Sequence, residues 1–532
     1  MTMVTRWGTI AAISALSVGL VTPRAAFADS VSLGPERAPA HEEVRRSWAT
    51  GATPDTLQVD PRPVGREAVE ALRYPPLRLD PPEAQEYRVL DVPVYHLHDP
   101  SLPLVDVFVQ MEGGTAHFPR RELGPISGLS TFLRYGGTQE LPPDSVDRKV
   151  DLLALQLSFG SAGSGHFASL NSLPATLDEG LELVGRLLTR PGFDREVVEV
   201  WRGQELERVR RRADNPTSLA YDEFNRLMFG DHPVGWVMQE EDLAPEHFTE
   251  ERLRMLQEHL LCRERLILGI VGDLTWEEAE PRVESFLDDW PPCPGELPEA
   301  PAPEMRTGGE VFILPREVEQ TTIIMAKPGG IRQEASPDYY ASRVANLILG
   351  GGGFSSRLMT RVRTEQGLAY GASSLWTTPL RYEGLVGAVT STRAERTLDA
   401  VSLTLEVMED FRADPPDDAE VSRAVEQMAN GYVFAFQSTR QIVARRMGDL
   451  AQGLPEDWLE RYLDGIQEVR PADVHRVARR WIDPDAMTIL LVGDPARFGP
   501  GLKDLGPLYR VELDGSVHPW EPLPPNDAPE NR

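Results

Sequence analysis

The chain repeats itself. VDVFVQMEGG ends at Gly114, and TTIIMAKPGG ends 216 residues later at Gly330. LSFGSAG carries Gly160 where LAYGASS carries Gly371, 211 residues on. LILGIVGD ends at Asp273, and MTILLVGD ends 221 residues later at Asp494. An apolar run ending in glycine is common singly. Three such matches, in one order and at a nearly constant offset, point to a duplicated structural unit. Each copy has the same grammar. It opens on strands such as Val105–Met111 and Thr321–Met325, continues through amphipathic helices such as Leu177–Leu188 and Tyr339–Leu349, and closes with a long helix and an apolar, β-branched strand. Strands and helices do not alternate regularly, so the expected class is α+β, two mixed-sheet-plus-helices repeats, rather than a doubly wound parallel sheet.

Size agrees with more than one core, since the chain has 532 residues. PPCPGELPEAPAPE, rich in proline and acid, separates the copies. The expected organisation is a first repeat at 86–290, a linker at 291–308 and a second repeat at 309–510. A Pro-rich arm at 29–85 precedes them, and a polar tail at 511–532 follows. Residues 1–28 combine Arg6, an apolar run to about Val21, and Ala26-Phe27-Ala28, which is the make-up of a cleavable secretory signal cut after Ala28. Export to the periplasm or the medium follows as an expectation. The apolar run is short for a bilayer span, and no later stretch offers a transmembrane anchor. Lys plus Arg number 54 against 83 Asp plus Glu, a formal charge of −29. Such a surface disfavours nucleic acid and anionic lipid as partners. The two cysteines, Cys262 and Cys293, can pair in an exported protein or remain as buried thiols, and they are too few for a zinc site of their own.

The stretch GGGGFSSRLMTRVRTEQGLAY (350–370) carries the chemistry. It is no nucleotide loop. A Walker loop needs a Lys and a hydroxyl closing the glycines, yet Phe354 follows Gly350–Gly353, and VANLILG before them has helical spacing. Ser355 or Ser356 is placed to cap a new helix. Arg363 lies near that helix's end and Tyr370 on the strand beyond. A guanidinium and a phenol brought together can grip a carboxylate or a peptide carbonyl. The alternative is that Arg363 caps carbonyls and Tyr370 packs in its strand. The ten histidines are scattered. His96 and His98 alternate on one presumed strand and are expected to be a surface pair, and neither His-Glu-x-x-His nor His-x-x-Glu-His occurs.

SSRLMTRVRTEQGLAYGASS, the duplication and GDHPVG together resemble the insulinase/pitrilysin family of zinc metallopeptidases, over most of residues 86–510. The resemblance implies two α+β repeats forming one half of a clamshell that closes on a peptide. Arg363 and Tyr370 match the family's substrate-holding Arg and Tyr. The family's zinc helix has two histidines four apart on one face and a Glu that activates water, because that spacing lets both imidazoles reach one ion. On the matching GLSTFLRYGGT (128–138), Thr131 and Tyr135 stand for the histidines and Arg134 for the Glu. The later acidic ligand falls at Arg208, or at Glu207 with one residue of slip. The expectation is therefore a non-catalytic, peptide-binding subunit with no cofactor of its own. Zinc would be carried by a partner subunit bearing His-x-x-Glu-His. A peptidase-like scaffold without that partner and an atypical self-sufficient peptidase are the alternatives.

Overall fold

A computed structural model describes residues 83–162 and 165–521. The signal at 1–28, nearly all of the arm at 29–85 and the end of the tail lie outside the described residues.

The first sheet has six strands, β1 (Gln85–Val89), β2 (Val92–His98), β3 (Val105–Glu112), β4 (Gln156–Ala162), β5 (Gly165–Ser172) and β6 (Leu266–Gly272), in the order β1-β2-β6-β3-β5-β4. The second contains β7 (Val311–Pro315), β8 (Gln320–Pro328), β9 (Ala369–Trp376), β10 (Leu385–Arg393), β11 (Thr488–Gly493), β12 (Leu508–Val511) and β13 (Val517–Pro519), in the order β13-β12-β7-β11-β8-β10-β9. Five neighbours correspond one to one. β2-β6-β3-β5-β4 matches β7-β11-β8-β10-β9, with the β2/β6 and β7/β11 pairs parallel and the other pairs antiparallel. The repeats read from sequence are thus the same mixed sheet built twice, and the α+β class is correct.

The helices of the first repeat are α1 (Leu123–Tyr135), α2 (Pro143–Leu152), α3 (Leu177–Thr189), α4 (Arg195–Arg210), α5 (Pro216–Phe229), α6 (Glu250–Leu260) and α7 (Trp276–Asp288). Those of the second are α8 (Pro337–Asn346), α9 (Thr397–Ala413), α10 (Asp418–Tyr432), α11 (Thr439–Ala451), α12 (Trp458–Glu468) and α13 (Pro471–Trp481). In β3 the residues Val105, Val107, Val109 and Met111 are all buried, as the period of two requires for a face against its own helices. The closing strands differ, because every residue of β6 and of β11 is buried. A run buried on both faces needs a cover on each. Each repeat's own helices supply one cover, and the opposite repeat supplies the other. Leu219, Ala220, Phe224, Leu227 and Met228 of α5 pack with Phe312, Leu314, Ile324, Leu490 and Val492 of the second sheet. Ile442, Val443 and Met447 of α11 pack on Tyr95, Leu97, Ile267 and Val271 of the first. Gly269 of β6 makes that approach possible, since a Cβ there would lie 2.4 Å from Met447 Sδ and 2.6 Å from Val443 Cγ1. Burying a side chain of this size contributes about 1.5–3 kcal/mol.

Polar contacts fix the exchange. Thr439 donates to Asp99 Oδ2 at 2.8 Å, and Arg440 pairs with Asp106 at 3.1 Å. On the other side, buried Glu223 of α5 is held by Arg212 and Arg226, and Arg212 also donates to Leu513 O at 3.0 Å. That last contact ties the C-terminal hairpin to the first repeat. The second sheet therefore extends beyond residue 510, where the sequence placed the start of the tail. Val511 is fully buried and β13 adds a further strand.

The linker is strapped along the first repeat. A disulfide joins Cys262 to Cys293. Arg265 Nη2 donates to Gly295 O at 2.6 Å, the His117 ring to Pro298 O at 2.7 Å, the His232 ring to Pro301 O at 2.8 Å and Arg306 Nε to Leu227 O at 3.2 Å.

Two predictions follow from this packing. The disulfide spans 31 residues, and opening such a loop costs about 3–4 kcal/mol in the chain-entropy account. Reductant or Cys293→Ser is expected to lower the unfolding midpoint measurably, and an unchanged midpoint contradicts the strap's role. The second concerns His166 on β5, which is buried and whose Nδ1 lies 3.0 Å from Ser130 Oγ. Burial pushes this imidazole down to about 4. The folded state thus binds the proton less well than the unfolded one. Its stabilisation is complete above about pH 6.5 and is lost as pH falls towards 4, at up to about 1.4 kcal/mol per pH unit. Denaturant unfolding of wild type and His166→Leu should diverge over that window, and parallel curves would contradict the assignment.

Candidate functional site

The glycine run lets one segment cross another at close range. After α8 the chain makes a wide turn through Leu347–Gly351. A Cβ on Gly350 would sit 2.0 Å from the backbone nitrogen of Ser374 in β9. Ser374 Oγ meanwhile donates to the Asn346 side-chain and backbone oxygens, at 2.7 and 3.0 Å, which seals the crossing. Gly353 then turns the chain with φ +65°, a conformation glycine adopts without strain. Phe354 is projected outward and is 73% exposed. The expected serine cap is not made. Ser355 and Ser356 donate their hydroxyls back to Gly352 O and Gly353 O, at 3.3 and 2.8 Å, because the glycine turn presents carbonyls rather than N–H groups to them.

The next segment, Met359–Glu365, is wound as a π-helix, a form often found at functional sites. Gly367, at φ +59°, ends it and leads into β9, the edge strand of its sheet. Three arginines lie here, and they are treated differently. Arg357 grips Glu420 through two bonds of 3.0 and 2.7 Å. Arg361 meets Glu406 at 2.9 Å, Asp410 at 3.2 Å and Glu365 at 3.6 Å. The side chain of Arg363 makes no hydrogen bond or ion pair among the described residues. Its guanidinium carbon instead lies 4.7 Å from the Phe354 ring centroid and 5.2 Å from that of Tyr370. Tyr370 is 83% exposed. The carbonyl-capping alternative for Arg363 and the strand-packing alternative for Tyr370 are therefore both set aside. The two residues come together at an exposed edge, and Phe354, which the sequence reading treated only as an obstacle to phosphate binding, joins them. Its signal was an aromatic residue directly after a glycine turn.

The positions matching the zinc helix are arranged quite differently. Thr131 is half-buried on α1. Arg134 pairs with Asp147 of α2 at 3.1 Å and lies over the ring of the exposed Tyr135 at 4.7 Å. Helix α1 packs on α4, with Phe132 edge-on to Trp201 at 5.2 Å. Arg208 of α4 nevertheless pairs with Glu205 and shares no partner with Arg134. Glu207, the alternative ligand position, faces Arg210 and Arg211 at 3.7 Å each. A hydroxyl, a phenol and two guanidiniums are not a zinc donor set, and fixed positive charges oppose a dication. These residues do not fit the metal.

Among the described residues the one group of three potential ligands is Cys262, Glu264 and Cys293, and its sulfurs are joined to each other. The expected surface pair of histidines is also corrected. His98 is exposed, whereas His96 is buried with its Nε2 2.8 Å from Leu274 O and its ring against Trp276. The stacking of Tyr87 on that same Trp276 closes the pocket over it.

Comparison with known proteins agrees with this architecture. The profile of the peptidase M16 inactive domain matches residues 247–428. An uncharacterized zinc protease of Streptomyces coelicolor is 25% identical over 374 residues, covering 68% of this chain and 80% of that protein. The non-peptidase homolog YmxG of Helicobacter pylori is 23% identical over 286 residues, 54% of this chain and 65% of its own length. A peptidase M16 inactive domain from Pseudomonas fluorescens superposes with a TM-score of 0.69 at 22% identity, covering 79% of this chain and 99% of that one. The periplasmic protease PqqL from Escherichia coli gives 0.65 at 13% identity, over 79% of this chain and 48% of that one. With the duplicated sheet and the glycine-to-tyrosine segment in place, the chain resembles the insulinase/pitrilysin-like peptidases, and residues 247–428 match the peptidase M16 inactive domain.

Proposed function

We propose that this chain is the exported, non-catalytic, substrate-binding subunit of a heterodimeric insulinase-like zinc metallopeptidase. A peptidase-family chain whose zinc positions carry Thr131, Arg134, Tyr135 and Arg208 is a non-catalytic peptidase homologue. The observation that carries the finer reading is the contrast between that helix and the exposed Phe354–Arg363–Tyr370 group. One repeat has no set of metal donors, while the other keeps a guanidinium and a phenol free to hold a ligand. The partner would supply the His-x-x-Glu-His helix and the metal-activated water, and this chain would position the peptide across from it. Positioning alone is a large contribution to catalysis, because it replaces a bimolecular search by a held geometry. The export part of the reading is supported by the N-terminal signal-like sequence and by the Cys262–Cys293 bond, a linkage that persists in oxidising compartments. No helix among the described residues is long and apolar enough to cross a membrane.

The test is kinetic and uses the complex co-purified from its source. Arg363→Ala is expected to lower kcat/KM of the mixed dimer about 10- to 100-fold, the worth of one charge-assisted hydrogen bond. Tyr370→Phe should lower it by less, about three- to tenfold. The zinc content of the complex should stay the same in both variants. Full activity in both contradicts the assignment of the site.

A further inference from the structure

We infer that the Phe354–Arg363–Tyr370 site takes a carboxylate, either an acidic side chain or a free C-terminus of the bound peptide, rather than the neutral peptide main chain alone. This rests on the reading that the site holds peptide. The argument comes from how the chain treats its cations here. With 83 acidic residues against 54 basic ones, carboxylates outnumber cations on this chain. The two neighbours of Arg363 show this, Arg357 being neutralised by Glu420 and Arg361 by three carboxylates. Arg363, two residues from Arg361 on the same segment, has none. In place of an anion it has two aromatic rings. These hold the guanidinium by cation–π attraction and leave its N–H groups without acceptors on this chain among the described residues.

Backbone geometry maintains the arrangement. The Gly350 crossing pins the glycine loop to β9, which carries Tyr370, so both rings are referred to one rigid strand. A planar fork of N–H donors with its position fixed matches the two oxygens of a carboxylate, which can accept in parallel. A peptide carbonyl offers one oxygen and no charge, and would leave the site's cation uncompensated. The Tyr370 hydroxyl, with no partner among the described residues, adds a further donor beside it.

The test uses the full-length exported chain and four fluorescein-labelled, unstructured decapeptides. Two share a neutral sequence and end in a free acid or in an amide. Two are amidated and carry one central Glu or one central Gln. Anisotropy gives a Kd for each. The free-acid peptide, the Glu peptide or both should bind about tenfold more tightly than the matched neutral peptide, and the pair that discriminates names the source of the carboxylate. The overall field of a chain at −29 works in the opposite sense, so a preference for the acid reports a local cation. In Arg363→Gln the acid-to-neutral ratio of affinities should collapse to about onefold, with an unchanged unfolding midpoint showing that the variant is folded. A preference that survives Arg363→Gln overturns the assignment. Equal binding of all four peptides to the wild-type chain overturns the carboxylate inference and leaves the peptide-holding reading standing. Absence of binding by every peptide overturns both.

Discussion

The architecture depends on an exchange of helices between two like halves. β6 and β11 are buried on both faces, and one cover of each comes from a helix of the other repeat. Helix α5 leaves the first repeat to cover the second sheet, and α11 returns the service to the first. Because each sheet is completed by the other repeat, the halves are packed into one body rather than tethered by a linker. The proline-rich connection reinforces this, since it is bonded along its length to the first repeat. A frame so braced can present a fixed edge to a ligand, and β9 lies at such an edge.

Two arginines on this frame sit in contrasting electrostatic surroundings. On α1, the chain carries a guanidinium paired with Asp147 and covered by Tyr135. Arg134 serves there as an internal tie between α1 and α2. On the second repeat, Arg363 has two aromatic rings against its guanidinium and no carboxylate partner among the described residues. The same residue type is structural in one place and available in the other, and the difference lies in what surrounds it. Partially buried Arg134 is hydrogen-bonded by its own chain, as burial of a charge demands. Arg363 is also half-buried, and cation–π contact with two rings stands where Arg134 has a carboxylate.

Much of this was legible in the sequence because it is local or periodic. The three matched apolar-to-glycine segments fall on β3/β8, β4/β9 and β6/β11, which are true equivalents in the two sheets. Helices expected at Leu177–Leu188 and from Tyr339 are α3 and α8. The pairing of Arg363 with Tyr370 was expected from the family resemblance, since spacing alone left capping and strand packing open. The exchange of α5 and α11 was not legible, because an apolar helix face does not state which sheet it will cover. Gly269 is the clue in retrospect, a glycine in an otherwise β-branched and leucine-rich strand that marks close approach by another element. His96 was misplaced for a similar reason. Alternation along β2 put it on one face with His98, but Trp276, far off in sequence, covers the first and not the second. Phe354 was missed because its exposure depends on a positive φ at Gly353, which sequence alone permits without requiring.

The central claim is that the charge set on α1 and α4 has no affinity for a dication. Zinc titration of the isolated chain by calorimetry, with Arg134→Glu as the comparison, tests it most directly. The account predicts no saturable site tighter than about micromolar, where a catalytic set of three protein ligands would bind far more strongly. One zinc held tightly by the wild-type chain would contradict it.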